Sequence, residues 1–175
     1  MERIIQEDIS RMLAERQDLA ALENKTILIS GANSFLMSYL IYFLLENNRR
    51  NHSNTTVVAL CRSAEKARAR FGYYWGDPYL RVLIQDVREP VDWSGAVDFC
   101  IHAASPAGIQ SRQEKPLDTF AVNLFGCQRL LELAQKRKSE KFLLLSSVDV
   151  YGACQEQARR KEADIGLLDW TYQRS

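Results

Sequence analysis

The sequence predicts an α/β protein built on a doubly wound parallel sheet, strand order 3-2-1-4-5, with helices on both faces. Three observations carry that expectation. Five short runs are apolar on successive residues rather than alternate ones, the pattern of strands buried on both sides. Helical patterns or long connections separate them, as parallel neighbours joined by right-handed crossovers require. The chain has 175 residues, 46% hydrophobic and 26% charged, enough for one domain that buries about 70% of its unfolded surface.

The elements follow in order. Ile4, Ile5, Ile9, Met12 and Leu13 recur at helical spacing among charges, so residues 3–22 are expected to form an amphipathic helix packed outside the core. TILIS at 26–30 is a short β-rich run ending at Gly31. FLMSYLIYFLLENN at 35–48 is too long for a strand and apolar nearly all round, which predicts a buried helix. TVVALC at 56–61 reads as the second strand. Ser63 then caps the helix SAEKARARF by accepting backbone N–H bonds at its start. Strands are expected near 80–85 and 98–103 and at 141–147, with a helix over 116–137 between the last two. Pro116 suits the first turn of that helix, where its missing N–H costs nothing. From Gly152 to Ser175 the chain is polar and charged, without a sixth strand pattern.

Composition excludes several classes. Twenty-three Lys and Arg against 22 Asp and Glu leave a net charge of +1, so no basic surface for nucleic acid or an anionic membrane is expected. The longest apolar stretch, Phe35 to Leu45, is broken by Ser38 and falls short of the roughly 20 residues a membrane span needs. The N-terminus MERIIQEDIS has acids early and no apolar run of the secretory kind. Cys61, Cys100, Cys127 and Cys154 lie far apart, with no CxxC pair and only two histidines. That pattern predicts reduced thiols in a cytoplasmic protein and no metal site.

A strand, a turn and a helix N-terminus form the place where a dinucleotide fold holds its phosphates. Here the turn reads Gly31-Ala32-Asn33-Ser34-Phe35-Leu36-Met37. Of the three glycines in the usual fingerprint only the first is present. Ser34 stands at the second position. Met37 stands at the third, where a long side chain is expected to push the helix off the strand.

Further blocks make the sequence resemble the extended short-chain dehydrogenase/reductase family, the NAD-dependent sugar-nucleotide epimerases and dehydratases. GANSFLMSYL resembles that family's first turn. Gln85-Asp86-Val87 is similar to its strand-three acid, and His102-Ala103-Ala104-Ser105 to its alanine-rich turn after strand four. Asn123-Leu124-Phe125-Gly126 resembles its Asn-x-x-Gly helix motif. Ser146-Ser147-Val148-Asp149-Val150-Tyr151-Gly152 matches its Ser/Thr-x-x-Val-Tyr-Gly block. The five blocks occur in the family's order between residues 26 and 152.

The resemblance implies a Rossmann-like domain over 26–152 that binds NAD, preceded by a helical extension over 1–25. It implies a cofactor site at Gly31, Asn33, Ser34, Phe35, Leu36, Asp86, Val87, Ala103, Ala104, Ser105 and Asn123. Asp86 takes the adenine edge in that reading, and Ser147 orients the reacting sugar hydroxyl. A tyrosine phenolate, favoured by a nearby lysine, removes the hydroxyl proton while hydride passes to the nicotinamide. Tyr172 falls near the expected distance for that tyrosine, but a lysine four residues on would be residue 176. The preferred alignment instead takes residues 173–175 as the segment just before the tyrosine, which is then not among the 175 residues; under either alignment the lysine is absent. Residues 153–175 are therefore expected to be a tail leading towards a catalytic Tyr-x-x-x-Lys and a sugar-binding domain. The chain reads as the cofactor-binding half of an epimerase, dehydratase or decarboxylase, inactive by itself. The nucleotide-sugar substrate belongs to the full-length enzyme, and a homodimer stays open. The second reading is a non-catalytic dinucleotide-fold module with a binding or regulatory role. Cofactor choice also stays open, because strand two ends in Arg62 with no acid before Glu65. An arginine there accommodates the 2′-phosphate of NADP.

Overall fold

The computed structural model describes residues 2–15, 18–106, 114–152 and 160–164. The chain forms two compact units, Met1–Leu144 and Leu145–Ser175. In the first, β1 (Thr26–Ser30) lies between β2 (Thr56–Cys61) and β4 (Phe99–His102). β3 (Leu80–Ile84) pairs outside β2, and β5 (Lys141–Leu144) pairs outside β4. All four pairings are parallel, giving the order β3-β2-β1-β4-β5 that the sequence predicts. The helices are α1 (Arg3–Glu15), α2 (Phe35–Asn51), α3 (Ala64–Phe71) and α4 (Pro116–Arg137).

Leu28, Val58, Leu60 and Cys100 pack with Val122, Leu130, Leu133 and Ala134 of α4 on one face of the sheet. Side-chain alternation sends Ile27, Ile29, Val57 and Ala59 to the other face. Right-handed crossovers place α2 and α3 there, because the chain moves outward from β1 in opposite directions before and after β4. Every residue from Ile27 to Ser30 and from Val57 to Cys61 is buried, as expected for strands covered on both sides.

Three expectations need correction. The first helix is described over Arg3–Glu15 and does not reach residue 22: residues 18 and 19 are not helical, and Ala20–Leu22 form a separate 3-10 turn. The reason is tertiary. The Leu22 carbonyl accepts from Thr55 Oγ1 and from the Lys25 N–H, while Asn24, at φ 57°, donates its N–H to Ser53. These bonds tie the segment to the sheet. α1 itself lies against α2, burying Ile9, and Arg50 of α2 donates to Ser10 Oγ at 2.6 Å. Secondly, β5 ends at Leu144 and not at 147, because its partner β4 ends at His102, the residue opposite Leu144. Thirdly, β5 is not covered on both sides: Leu143 and Leu144 are each more than half exposed. The remaining boundaries fall within about three residues of prediction, and α4 matches at both ends.

The second unit carries a 3-10 turn at Val148–Tyr151, in which the Val150 N–H donates to the Ser147 carbonyl. Further on, the Lys161 N–H donates to Asp164 Oδ2 at 2.7 Å and the Asp164 N–H returns to the Lys161 carbonyl.

Candidate functional site

At the C-terminal edge of the sheet, β1 runs into Gly31 at φ +64°. A Cβ there would lie 2.7 Å from the Ala103 carbonyl oxygen and 2.9 Å from Ala104 Cα. Glycine is demanded twice, by backbone conformation and by the approach of the loop after β4. The Ser34 N–H donates to the Gly31 carbonyl at 2.9 Å and closes the turn. Ser34 then stands at the N-cap of α2 in an extended conformation, and its hydroxyl bonds no helix amide. The first-turn amides of an α-helix lack intrahelical acceptors, so this end of α2 favours an anion. Met37 is folded into the core at 5% exposure. The third fingerprint position is thus filled by a buried side chain and not by one thrust out at the turn.

The Gly31 turn and the Ala103–Ser105 loop leave the sheet on either side of β1 and β4 and frame a cleft of about 490 Å³. Gly31, Asn33, Ser34, Arg62, Asp86, Val87, Ala103, Ala104 and Ser105 all line it. The fold thus gathers nine of the predicted cofactor residues from four separate connections. Phe35, Leu36 and Asn123 do not line it; their side chains are exposed on the first turn of α2 and on α4. Ser147 belongs to the second unit, and Tyr172 lies outside the described residues.

Four charged groups, Asp86, Arg88, Arg62 and Lys66, set the electrostatics in and beside the cleft. Asp86 accepts from Arg88 Nε at 3.0 Å, Arg88 Nη2 at 2.7 Å and the Arg88 backbone N–H at 3.0 Å. This fork holds the Asp86 carboxyl below its ordinary range. Arg88 reaches on to Asp118 at 3.4 Å. Arg62 and Lys66 bring two cations to the rim, and Ser63 accepts the Lys66 N–H at the start of α3, as predicted. Burial pushes the Cys61 thiol up to about 11, so it is a packing group and no thiolate nucleophile at neutral pH.

Sequence reasoning missed Lys66, Gln85 and Arg88. Lys66 had a signal, three residues past the Ser63 cap at a helix start that faces the strand ends. Gln85 closes the loop after β3 by donating to the Pro90 carbonyl and accepting from the Asp92 N–H. Among the described residues no group of His, Cys, Asp and Glu forms a metal site, and no helix is long and apolar enough to cross a membrane.

Residues 27–173 match the model of the NAD dependent epimerase/dehydratase family. The chain belongs to the NAD-dependent epimerase/dehydratase family. It is 34% identical over 132 residues to UDP-glucuronic acid decarboxylase 3 of Arabidopsis thaliana, covering 74% of this chain and 35% of that relative. It is 27% identical over 146 residues to a UDP-glucose 4-epimerase of Yersinia enterocolitica, covering 81% of this chain and 42% of that relative. The chain therefore spans less than half the length of these curated family members. Among solved structures it is similar to a dTDP-glucose 4,6-dehydratase from Streptomyces venezuelae with NAD bound. The TM-score is 0.70 at 22% identity, over 82% of this chain and 45% of the other. A UDP-N-acetylglucosamine 4-epimerase from Methanobrevibacter ruminantium gives a TM-score of 0.68 at 17% identity, over 83% of this chain and 45% of the other. These structural likenesses support the family's fold.

Proposed function

We propose that these residues bind NAD or NADP as the cofactor-holding part of a nucleotide-sugar epimerase, dehydratase or decarboxylase. One observation carries the reading: Gly31 is pressed against Ala103 and Ala104 where the connections from β1 and β4 diverge. Doubly wound sheets place dinucleotides in the crevice at that switch point. The cleft volume, about 490 Å³, lies within the range of ligand pockets.

In this reading the first-turn amides of α2, Phe35 to Met37, and the free Ser34 hydroxyl hold the pyrophosphate. Asp86 and Val87 border the adenine, and the Ala103–Ser105 loop forms the opposite wall. Arg62 and Lys66, with no acid at the end of β2, suit a 2′-phosphate better than a bare ribose hydroxyl. The bound cofactor supplies a hydride acceptor. Ser147 is assigned the orienting of the sugar hydroxyl by its place in the Ser-x-x-Val-Tyr-Gly block. The 175 residues contain no Tyr-x-x-x-Lys, so binding without turnover is expected of them alone.

Calorimetric titration with NAD, NADP and their reduced forms tests this. The expected dissociation constants are roughly high micromolar, because Ser34 and Met37 replace two glycines. Arg62→Ala lowers affinity for NADP more than for NAD. Incubation with nucleotide sugars and either cofactor yields no product above a protein-free control. Failure to bind either cofactor, even after Ser34→Gly and Met37→Gly, sinks the reading in favour of a non-catalytic module.

A further inference from the structure

His102 ends β4 and is 2% exposed. Its Nδ1 lies 2.8 Å from Ser30 Oγ, at the end of β1. Ser30, itself fully buried, accepts the Ala103 N–H at 3.1 Å and the Ala104 N–H at 3.2 Å. A hydroxyl has one hydrogen and two lone pairs. With both lone pairs on the alanine amides, the Ser30 hydrogen points at Nδ1. That nitrogen must then be the acceptor, and a neutral imidazole carries its proton on Nε2. Among the described residues Nε2 has no hydrogen-bond partner. The ring is buried against α4, where a Cβ on Gly126 would come within 3.2 Å of His102 Cε1. Burial lowers the pKa of His102, opposed by the Asn123 and Val122 backbones.

We propose that His102 is a positioning residue of the dinucleotide cleft: by accepting a hydrogen bond from the Ser30 hydroxyl it commits Ser30 to the Ala103 and Ala104 amides and fixes that wall against Gly31. The inference rests on the cofactor reading above but acts one layer behind the cleft. A protonated ring, or one with its hydrogen on Nδ1, forces Ser30 to accept from the ring and release an alanine amide. The wall then loosens where it meets Gly31. This also gives the Asn123-x-x-Gly126 block a physical role, since Gly126 lets α4 close over the imidazole.

Three measurements on the 175-residue chain test it. Long-range proton–nitrogen NMR on the unmodified chain should find Nδ1 unprotonated and the proton on Nε2; a proton on Nδ1 overturns the proposal. Amide exchange in His102→Leu, which keeps bulk and removes the acceptor, should be about tenfold faster at Ala103 and Ala104, as one lost hydrogen bond implies. His102→Asn, whose Oδ1 takes the place of Nδ1, should restore protection, and Ser30→Ala should lose it from the other side. NAD affinity should follow the same order, about fivefold to tenfold weaker in the Leu variant and near the unmodified value in the Asn variant. Equal exchange and equal affinity in the Leu variant overturn the proposal. If the unmodified chain binds no dinucleotide, the cofactor reading falls, while tautomer and exchange still decide for or against the Ser30–His102 latch.

Discussion

The two ends of the sheet are finished in opposite ways. At the N-terminal edge buried polar groups close on one another. Asn48 donates its amide to the Thr55 carbonyl and accepts from the Thr55 N–H and from Ser53, while Asn47 donates to Ser53. Thr55 Oγ1 donates to the Leu22 carbonyl, and Asp98 accepts the Thr26 N–H. At the C-terminal edge groups are left over. The Ser34 hydroxyl caps nothing, the first amides of α2 have no helical acceptor, and Arg62 and Lys66 face an open cleft. Buried hydrogen bonds that close internally add to stability, whereas donors held open by a glycine turn add to binding. Stability and ligand affinity should therefore respond to different ends of the molecule.

The largest effect is expected at Gly31, where stability and binding meet. Gly31→Ala imposes a strained φ and a backbone overlap, costing about 3 kcal/mol or more. Urea denaturation should show the loss, and dinucleotide binding should vanish with it. Asn48→Ala breaks the closed end by leaving the Thr55 backbone unpaired, at about 2–3 kcal/mol. Because the site is remote, dinucleotide affinity should stay unchanged; a parallel fall in affinity would break the distinction between the two ends.

A smaller effect is expected from acid. The folded pKa of His102 lies below its unfolded value of about 6.5. The unfolded state then binds the extra proton, so stability falls as pH drops through 6.5 towards the folded value. Asp86, held low by Arg88, acts in the same direction only at more acid pH, near and below the usual carboxylate range. Denaturation midpoints should therefore begin to fall near pH 6.5, and His102→Asn should remove that first step while leaving the later one. The smallest effect is at Ser63, whose exposed cap on α3 is long at 3.3 Å. Ser63→Ala should cost about 0.5 kcal/mol and shift Lys66 little.

The sheet order was legible because the buried strands are continuous apolar runs and because crossovers have one hand. β1, β2 and α4 were bounded by features local to the chain: Gly31 after Ser30, the Arg62-Ser63 cap, Pro116 at a helix start. Where the limit is set by a partner, local pattern fails. β5 stops at Leu144 because β4 stops opposite it, and the Ala20–Leu22 turn takes its place from Thr55, which bonds the Leu22 carbonyl. The site divides similarly. A glycine after a strand and an alanine-rich turn announce themselves in sequence, so Gly31 and Ala103 were readable. The Arg88 fork on Asp86 and the Ser30–His102 pair depend on side-chain direction and on strands brought together across 72 residues.

The most direct measurement is an NMR titration of the nitrogen-15-labelled chain with NAD and with NADP. The amides of Asn33 to Met37, Arg62 and Ala103 to Ser105 should shift in a saturable manner, with those of Asn47, Asn48, Ser53 and Thr55 unmoved. Shifts centred on the closed end, or none at the Gly31 turn under saturating cofactor, would contradict the assignment of the open end as the dinucleotide site.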